Sequence, residues 1–122
     1  MKVLLSIKPE FALKIFEGTK KYEFRKSIFK RNDIKTIVVY ASSPMQKVIG
    51  EFDIEDILCE RSERLWKITK EFSGITKQFF DTYFENKEEA FAIQIGKIHK
   101  YPKPKQLSDY DINYAPQSFA YL

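Results

Sequence analysis

"SIKPEFALKIFEGTKKYEFRK", residues 6–26, decides how the chain is read, because it holds a strand end, a helix and a second strand in quick succession. Val3, Leu5 and Ile7 alternate with Leu4, Ser6 and Lys8, the two-residue period of a half-buried strand. Pro9 stands at a first helical position, Phe11, Ala12, Ile15 and Phe16 share one helical face, and Gly18 closes the helix. The strand that follows, Lys20 to Lys26, places Lys20, Tyr22, Phe24 and Lys26 on one side and Lys21, Glu23 and Arg25 on the other. With Tyr22 and Phe24 toward a core, Glu23 and Arg25 stand two residues apart on the opposite face. Spacing leaves two readings open. On a solvated face such a pair contributes only ~0–1 kcal/mol. In a cleft it offers a carboxylate acceptor beside a guanidinium fork, suited to a base edge or a phosphate.

Beyond residue 26 the pattern stays that of one α+β domain, residues 1–122. "TIVVYAS" reads as a strand covered on both faces, and Ser43-Pro44 turns the chain into the alternating strand "KVIGEFDIEDI". Gly50 inside that strand predicts a bulge or a close backbone approach. Ser62 is read as the cap of a helix carrying Leu65, Ile68, Thr69 and Phe72, ended by Gly74. Thr76 caps a second helix whose Phe79, Phe80, Tyr83 and Phe84 share a face and are read as core. "EAFAIQIGKIHKY" returns to strand alternation, with Pro102 and Pro104 expected to stop it. The tail "YAPQSFAYL" is apolar enough to dock on the body. So many short strands are best covered by a curved, barrel-like mixed sheet flanked by helices.

The formal charge of +4 is modest, but its distribution is uneven. Lys14 to Lys35 holds eight basic and three acidic residues, a local surplus larger than that of the whole chain. Glu51 to Glu63 is acidic, and Lys97 to Lys105 is basic again. Such a balance favours contact with polyanions. With one cysteine, Cys59, no disulfide can form within the chain, and the opening apolar run stops at Lys8-Pro9, so a cytoplasmic protein without a membrane partner is expected.

One His and one Cys give no ligand cluster at zinc spacing, so neither a metal nor a cofactor is expected. Cys59 lies at an expected strand end and His99 in a basic strand, which makes a nucleophile pair of the two a poor candidate. No glycine-rich phosphate loop is present, since Gly96 stands alone.

Ser6-Ile7-Lys8-Pro9, then Gly18-x-Lys20-x-x-Glu23-x-Arg25, then "YASSP" followed by "GEF", and finally "APQSF" occur in the order of the ASCH-domain family of the PUA-like superfamily, which the chain resembles over almost its whole length. The resemblance is to the stand-alone prokaryotic members. It implies a PUA-like curved, barrel-like sheet with a cleft for a nucleotide or modified base between the first helix-strand unit and the barrel, in a superfamily associated with RNA binding. Carried over by position, the cleft set is Lys8, Lys20, Glu23 and Arg25, with Ser42 and Ser43 nearby and Gln117-Ser118-Phe119 on one side. Some relatives are enzymes. One branch resembles small N4-acetylcytidine amidohydrolases, whose lysine is matched by Lys20 but whose threonine is replaced here by Glu23. Others are ribonucleases, for which Lys20, Glu23 and Arg25 are candidate acid/base and phosphate-stabilising groups.

Three functions share this constellation. The first is an RNA-binding module in which Lys20, Lys21, Lys26, Lys30 and Arg31 hold phosphates, Glu23 and Arg25 read a base, and Tyr22, Tyr40 or Phe119 stacks. The second is a small hydrolase of RNA or a modified nucleoside, with Lys20 and Glu23 catalytic. The third is a regulatory domain whose cleft senses a nucleotide-like ligand without chemistry.

Overall fold

The computed structural model describes residues 1–122. Its strands are β1 (Lys2–Ile7), β2 (Tyr22–Arg25), β3 (Thr36–Ala41), β4 (Lys47–Glu60), β5 (Ala90–Lys105) and β6 (Phe119–Tyr121). Its helices are α1 (Pro9–Glu17), α2 (Ser62–Thr69) and α3 (Lys77–Tyr83), with 3-10 turns at Lys70–Phe72 and Leu107–Tyr110. All six strands form one sheet in the order β2-β5-β4-β3-β1-β6. Only β1 and β3 pair in parallel. The α+β class and the mixed, curled sheet read from the sequence are both present.

The curl comes from β4 and β5, the two longest strands, whose pairing slips at three places: Val48/Gly50, Phe52/Ile54 and Ile54/Asp56. Each irregularity adds local twist, and together they bend the ribbon so that the sheet folds over as a half-barrel. Gly50 sits at one of these slips, and a Cβ there would stand 2.6 Å from Cζ of Phe16 and 2.7 Å from the His99 carbonyl oxygen. The bulge and the close approach therefore fall on the same residue.

Inside the curl, Val3, Leu5 and Ile7 of β1, Ile37 and Val39 of β3, and Phe52 of β4 meet Ala12 and Ile15 of α1. On the outer face Leu4, Val38, Tyr40 and Val48 are covered by Leu107, Tyr110, Ile112 and Leu122. Strand β1 is thus buried on both faces rather than one, because the docked C-terminal segment supplies the second cover. A third cluster joins Phe24 of β2 to Leu65 of α2, Phe80 of α3 and Phe84 just beyond it. Edge-to-face contacts of Phe24 with Phe80 and of Phe80 with Phe84, at 5.2 and 4.8 Å, each add ~0.5–1.5 kcal/mol to burial, enough to fix so short a helix as α3.

Three local expectations need correction. Ser62 is the first residue of α2, whose cap is Arg61 without a side-chain hydrogen bond; only Leu65 and Thr69 of α2 are buried, while Ile68 and Phe72 stay 44% and 41% exposed. The chain leaves the helix through a 3-10 turn that rotates Phe72 off the buried stripe. Pro102 and Pro104 do not stop β5, which runs to Lys105. Between Gly50↔Lys100 and Val48↔Lys105 the longer side of the ladder spends five residues against two, and β2 pairs only with Phe91 to Gln94, so no ladder N–H is required of either proline. The aromatic face of α3 is divided between core and cavity, as described below. Elsewhere Thr76 caps α3, its Oγ1 accepting from the Phe79 amide at 3.0 Å, and the tail docks as β6 against β1.

Candidate functional site

Lys20 is placed by the way α1 ends. Gly18 adopts φ +87°, and the amides of Thr19 and Lys20 both donate to the Lys14 carbonyl, so the chain folds back under the helix before β2 begins. The Lys20 side chain enters the protein and is 2% exposed. Its Nζ donates to the Ser73 carbonyl at 2.6 Å and lies 5.2 and 4.8 Å from the ring centres of Phe11 and Phe24. Gly74 makes room for it: φ there is +70°, and a Cβ would stand 2.6 Å from Cγ of Lys20. Burial pushes the Lys20 amine down from its ordinary 10.5 to about 8, against the upward pull of Glu23 and with a smaller downward push from Lys14.

Glu23 and Arg25 project together from β2, as their spacing predicts, but into the mouth of the half-barrel. Arg25 Nη1 pairs with Glu23 Oε2 at 3.3 Å and reaches the Ser6 carbonyl at 3.4 Å. Its Nη2 donates to Ser118 Oγ at 2.7 Å and to the Ser118 carbonyl at 3.2 Å. The pair is nearly dry, with 11% of the arginine and 8% of the glutamate side chain exposed.

These groups open on a cavity of about 280 Å³. Ser6, Ile7 and Lys8 form its rim where β1 passes into α1, and Phe11 closes one side. Ile75, Phe79 and Tyr83 come from α3 and the turn before it, and Gln117 borders the mouth. Phe79 and Tyr83 lie nearly parallel, 13° apart with ring centres 6.3 Å from one another. The cavity therefore combines one buried carboxylate, a buried amine, a guanidinium, an exposed lysine and two aromatic faces. No three His, Cys, Asp or Glu side chains gather anywhere at metal-binding distance.

Of the residues named from the sequence, Lys8, Lys20, Glu23, Arg25 and Gln117 line this one cavity, and Ser118 holds Arg25. Ser42 and Ser43 do not line it. They belong to the turn after β3, where the Ser42 amide donates to the Ile7 carbonyl and its carbonyl accepts from Met45. Lys21 lies over Phe72, outside the cavity, and Lys26 over Tyr83, at its edge. The three stacking candidates are committed elsewhere: Tyr40 is 3% exposed in the outer core, Tyr22 packs with the Phe24 cluster, and Phe119 packs on Phe29. Phe79 and Tyr83 take that place. Their spacing is that of core residues, and the one clue is that α3 carries more aromatics than its single buried residue, Phe80, needs. Cys59 of β4 is opposite Phe91, whereas His99 of β5 is opposite Glu51, eight residues from Cys59 along β4, so they form no couple; the Cys59 thiol donates to Glu89 and is pushed up to about 11.

A curled mixed sheet whose mouth is floored by a lysine, a glutamate and an arginine and walled by one aromatic helix defines a half-barrel of the PUA-like class with a cavity at its mouth. The sequence profile of the ASCH domain matches residues 5–99, and the chain belongs to the ASCH domain family. It is 32% identical over 123 residues to a protein named ASCH domain-containing ribonuclease from Zymomonas mobilis, covering 98% of this chain and 82% of that protein. The crystal structure of ASCH from Zymomonas mobilis superposes with a TM-score of 0.90 at 30% identity, over 99% of this chain and 87% of that one. The chain is also 32% identical over 120 residues to the large ribosomal subunit protein uL22 of Ureaplasma parvum, where 98% of this chain spans only 39% of the relative. No helix is long and apolar enough to cross a membrane.

Proposed function

We propose that this ASCH domain binds single-stranded RNA and takes one unpaired nucleotide into the cavity at the mouth of the half-barrel. The observation that carries the reading is the convergence of Glu23, Arg25 and Lys20 with the faces of Phe79 and Tyr83 on one opening. Its 280 Å³ lies at the small end of ligand sites, which run ~300–1,000 Å³, so it fits a base or nucleoside while the rest of the strand stays outside. Arg25 occupies Glu23 Oε2, which leaves Oε1 to accept from a base amino group. Phe79 or Tyr83 supplies a stacking face, worth ~1–3 kcal/mol per base. The exposed Lys8, Lys21, Lys26 and Lys30 supply charge for phosphates, while the Arg31 guanidinium is already engaged by Asp33 at 3.0 and 2.8 Å. The test is binding of a fluorescent single-stranded RNA by the wild type and Phe79→Ala. The variant should bind at least fivefold more weakly, and equal affinity would remove the cavity from the reading.

A second reading, RNA cleavage, is favoured by one arrangement: the Lys20 amine, buried and pushed down to about 8, lines the same cavity as the buried Glu23 carboxylate. Neutral Lys20 would take the proton of a ribose 2′-hydroxyl, the 2′-oxygen would attack phosphorus to form a 2′,3′-cyclic phosphate, and the bond to the 5′-oxygen would break as that oxygen takes a proton from water. The Zymomonas relative named as a ribonuclease supports it. Cleavage should rise through pH 8 and vanish in Lys20→Met. Intact RNA at every pH would leave binding alone.

A further inference from the structure

The far end of β5 carries a second feature that the cavity does not use. Lys97, His99, Lys100, Lys103 and Lys105 are all exposed there, and the strand period sets His99, Tyr101, Lys103 and Lys105 on one side. With Pro102 and Glu51 they line an open groove of about 560 Å³. Its floor is aromatic: His99 stands edge-on to Tyr101 at 5.7 Å, and Lys105 Nζ lies 4.9 and 5.9 Å from the ring centres of Tyr101 and Tyr110. The one acid present is already engaged, since Glu51 accepts from Tyr101 at 2.8 Å and pairs with Lys2 at 3.2 Å. The lysines of the groove therefore face solvent with no carboxylate to neutralise them.

Register connects this groove to the cavity. Ile7 at the cavity rim is opposite Ala41, Ala41 opposite Lys47, and the neighbouring Val48 opposite Lys105. Three strand spacings of ~4.8 Å put Lys105 ~14 Å from the rim along the sheet. The groove is on the outer face and the cavity at the mouth, so the path between them crosses the turn from Ser42 to Gln46 and passes Lys47.

We propose that the β5 arm is a second contact for the same RNA: a strand with one nucleotide in the cavity crosses the Ser42–Gln46 rim and lays its backbone on Lys103 and Lys105. The inference rests on the RNA-binding reading. Basic side chains interleaved with aromatic faces are the elements by which single strands are tracked without sequence preference. Two unneutralised lysines side by side in one groove, Lys103 and Lys105, fit a polyphosphate backbone better than a lone nucleotide. The crossing also gives a role to the Ser42-Ser43 turn, which the cavity leaves out.

The test compares a fluorescent trinucleotide with a twelve-residue single-stranded RNA, titrated against salt, for the wild type and Lys103→Gln/Lys105→Gln. Both positions are exposed, so the fold is not at risk. The double variant should bind the twelve-residue RNA about tenfold more weakly at low salt, with a log–log salt slope shallower by ~1.4, and bind the trinucleotide as the wild type does. An unchanged slope on the longer RNA, with wild-type binding intact, would overturn the arm while leaving the cavity reading in place. Equal weakening on both RNAs would also overturn it, because the arm lies beyond a trinucleotide's reach. Failure of the wild type to bind either RNA would remove both inferences.

Discussion

Arg25 Nη2 and Ser118 Oγ stand 2.7 Å apart and join the two ends of the sheet. Arg25 is on β2, the first strand in the sheet order, and Ser118 immediately precedes β6, the last. Where a closed barrel would have a ladder of backbone hydrogen bonds, this half-barrel has one guanidinium. Its contacts to Ser6 and Glu23 are long, at 3.4 and 3.3 Å, so the bond to Ser118 carries most of the fastening.

Removing either end of that fastening should open the mouth. Ser118→Ala should cost ~1.5–3 kcal/mol, the range of a hydrogen bond to a charged group. Arg25→Ala should cost ~3–5 kcal/mol, because it also strands the Glu23 carboxylate in a nearly dry site. Arg25→Lys should recover little, since an ammonium cannot span Ser118 and Glu23 as a planar fork does. Urea unfolding of the three variants measures this; Arg25→Lys at wild-type stability would show that charge alone suffices.

Lys20 makes stability depend on alkaline pH. Its amine titrates near 8 when folded and near 10.5 when unfolded, so between those values the unfolded chain binds more protons. Stability contributed by this group therefore rises as pH climbs from about 8 to 10.5 and is flat below 8, a gain of ~3 kcal/mol at 1.36 kcal/mol per unit. Other groups titrate in the same window, and comparison with Lys20→Met removes them. The stability difference between wild type and variant should shift in favour of the wild type across this window; a constant difference would mean that Lys20 titrates normally.

Gly74 should not accept alanine. The left-handed φ of +70° costs a side chain ~1 kcal/mol, and the new methyl would displace the Lys20 stem it meets at 2.6 Å. Gly74→Ala should lose ~2 kcal/mol or more in thermal unfolding. In that variant the titration of Lys20, followed by NMR of its Cε protons, should move back toward 10.5 as the amine is pushed into water. Gly18→Ala, with φ +87° but nothing within 4 Å of its Cβ, should cost only the backbone part.

Thr76→Ala should cost ~1 kcal/mol by removing the cap of α3. Because α3 presents Phe79 and Tyr83 to the cavity, RNA affinity should fall in the same variant although Thr76 itself does not line the cavity. A stability loss with unchanged affinity would indicate that Phe24, Phe80 and Phe84 hold the helix in place without its cap.

The sequence made the first strand-helix-strand unit legible because each signal in it is local: Pro9 and Gly18 punctuate α1, and the two-residue period pairs Glu23 with Arg25. Gly50 likewise announced its own bulge. What it did not show depends on parts of the chain that meet only after folding. Pro102 and Pro104 look like stops until the slipped register of β4 frees them from hydrogen bonding. Leu4 looks solvent-facing until Leu107, Ile112 and Leu122 cover it. Phe79 and Tyr83 share the spacing of Phe80 and Phe84, and only the packing of Phe80 and Phe84 on Phe24 of β2 decides which pair becomes core and which faces the cavity.

The most direct measurement is a salt titration of binding to a fluorescent single-stranded RNA by the wild type and Phe79→Ala, with the RNA run on a gel afterwards. The account predicts wild-type binding that weakens steeply with salt and is lost by fivefold or more in Phe79→Ala, whose fold is kept by the Phe80 cluster. Wild-type and variant affinities that coincide at every salt concentration would contradict it, because the nucleotide would then lie outside the cavity.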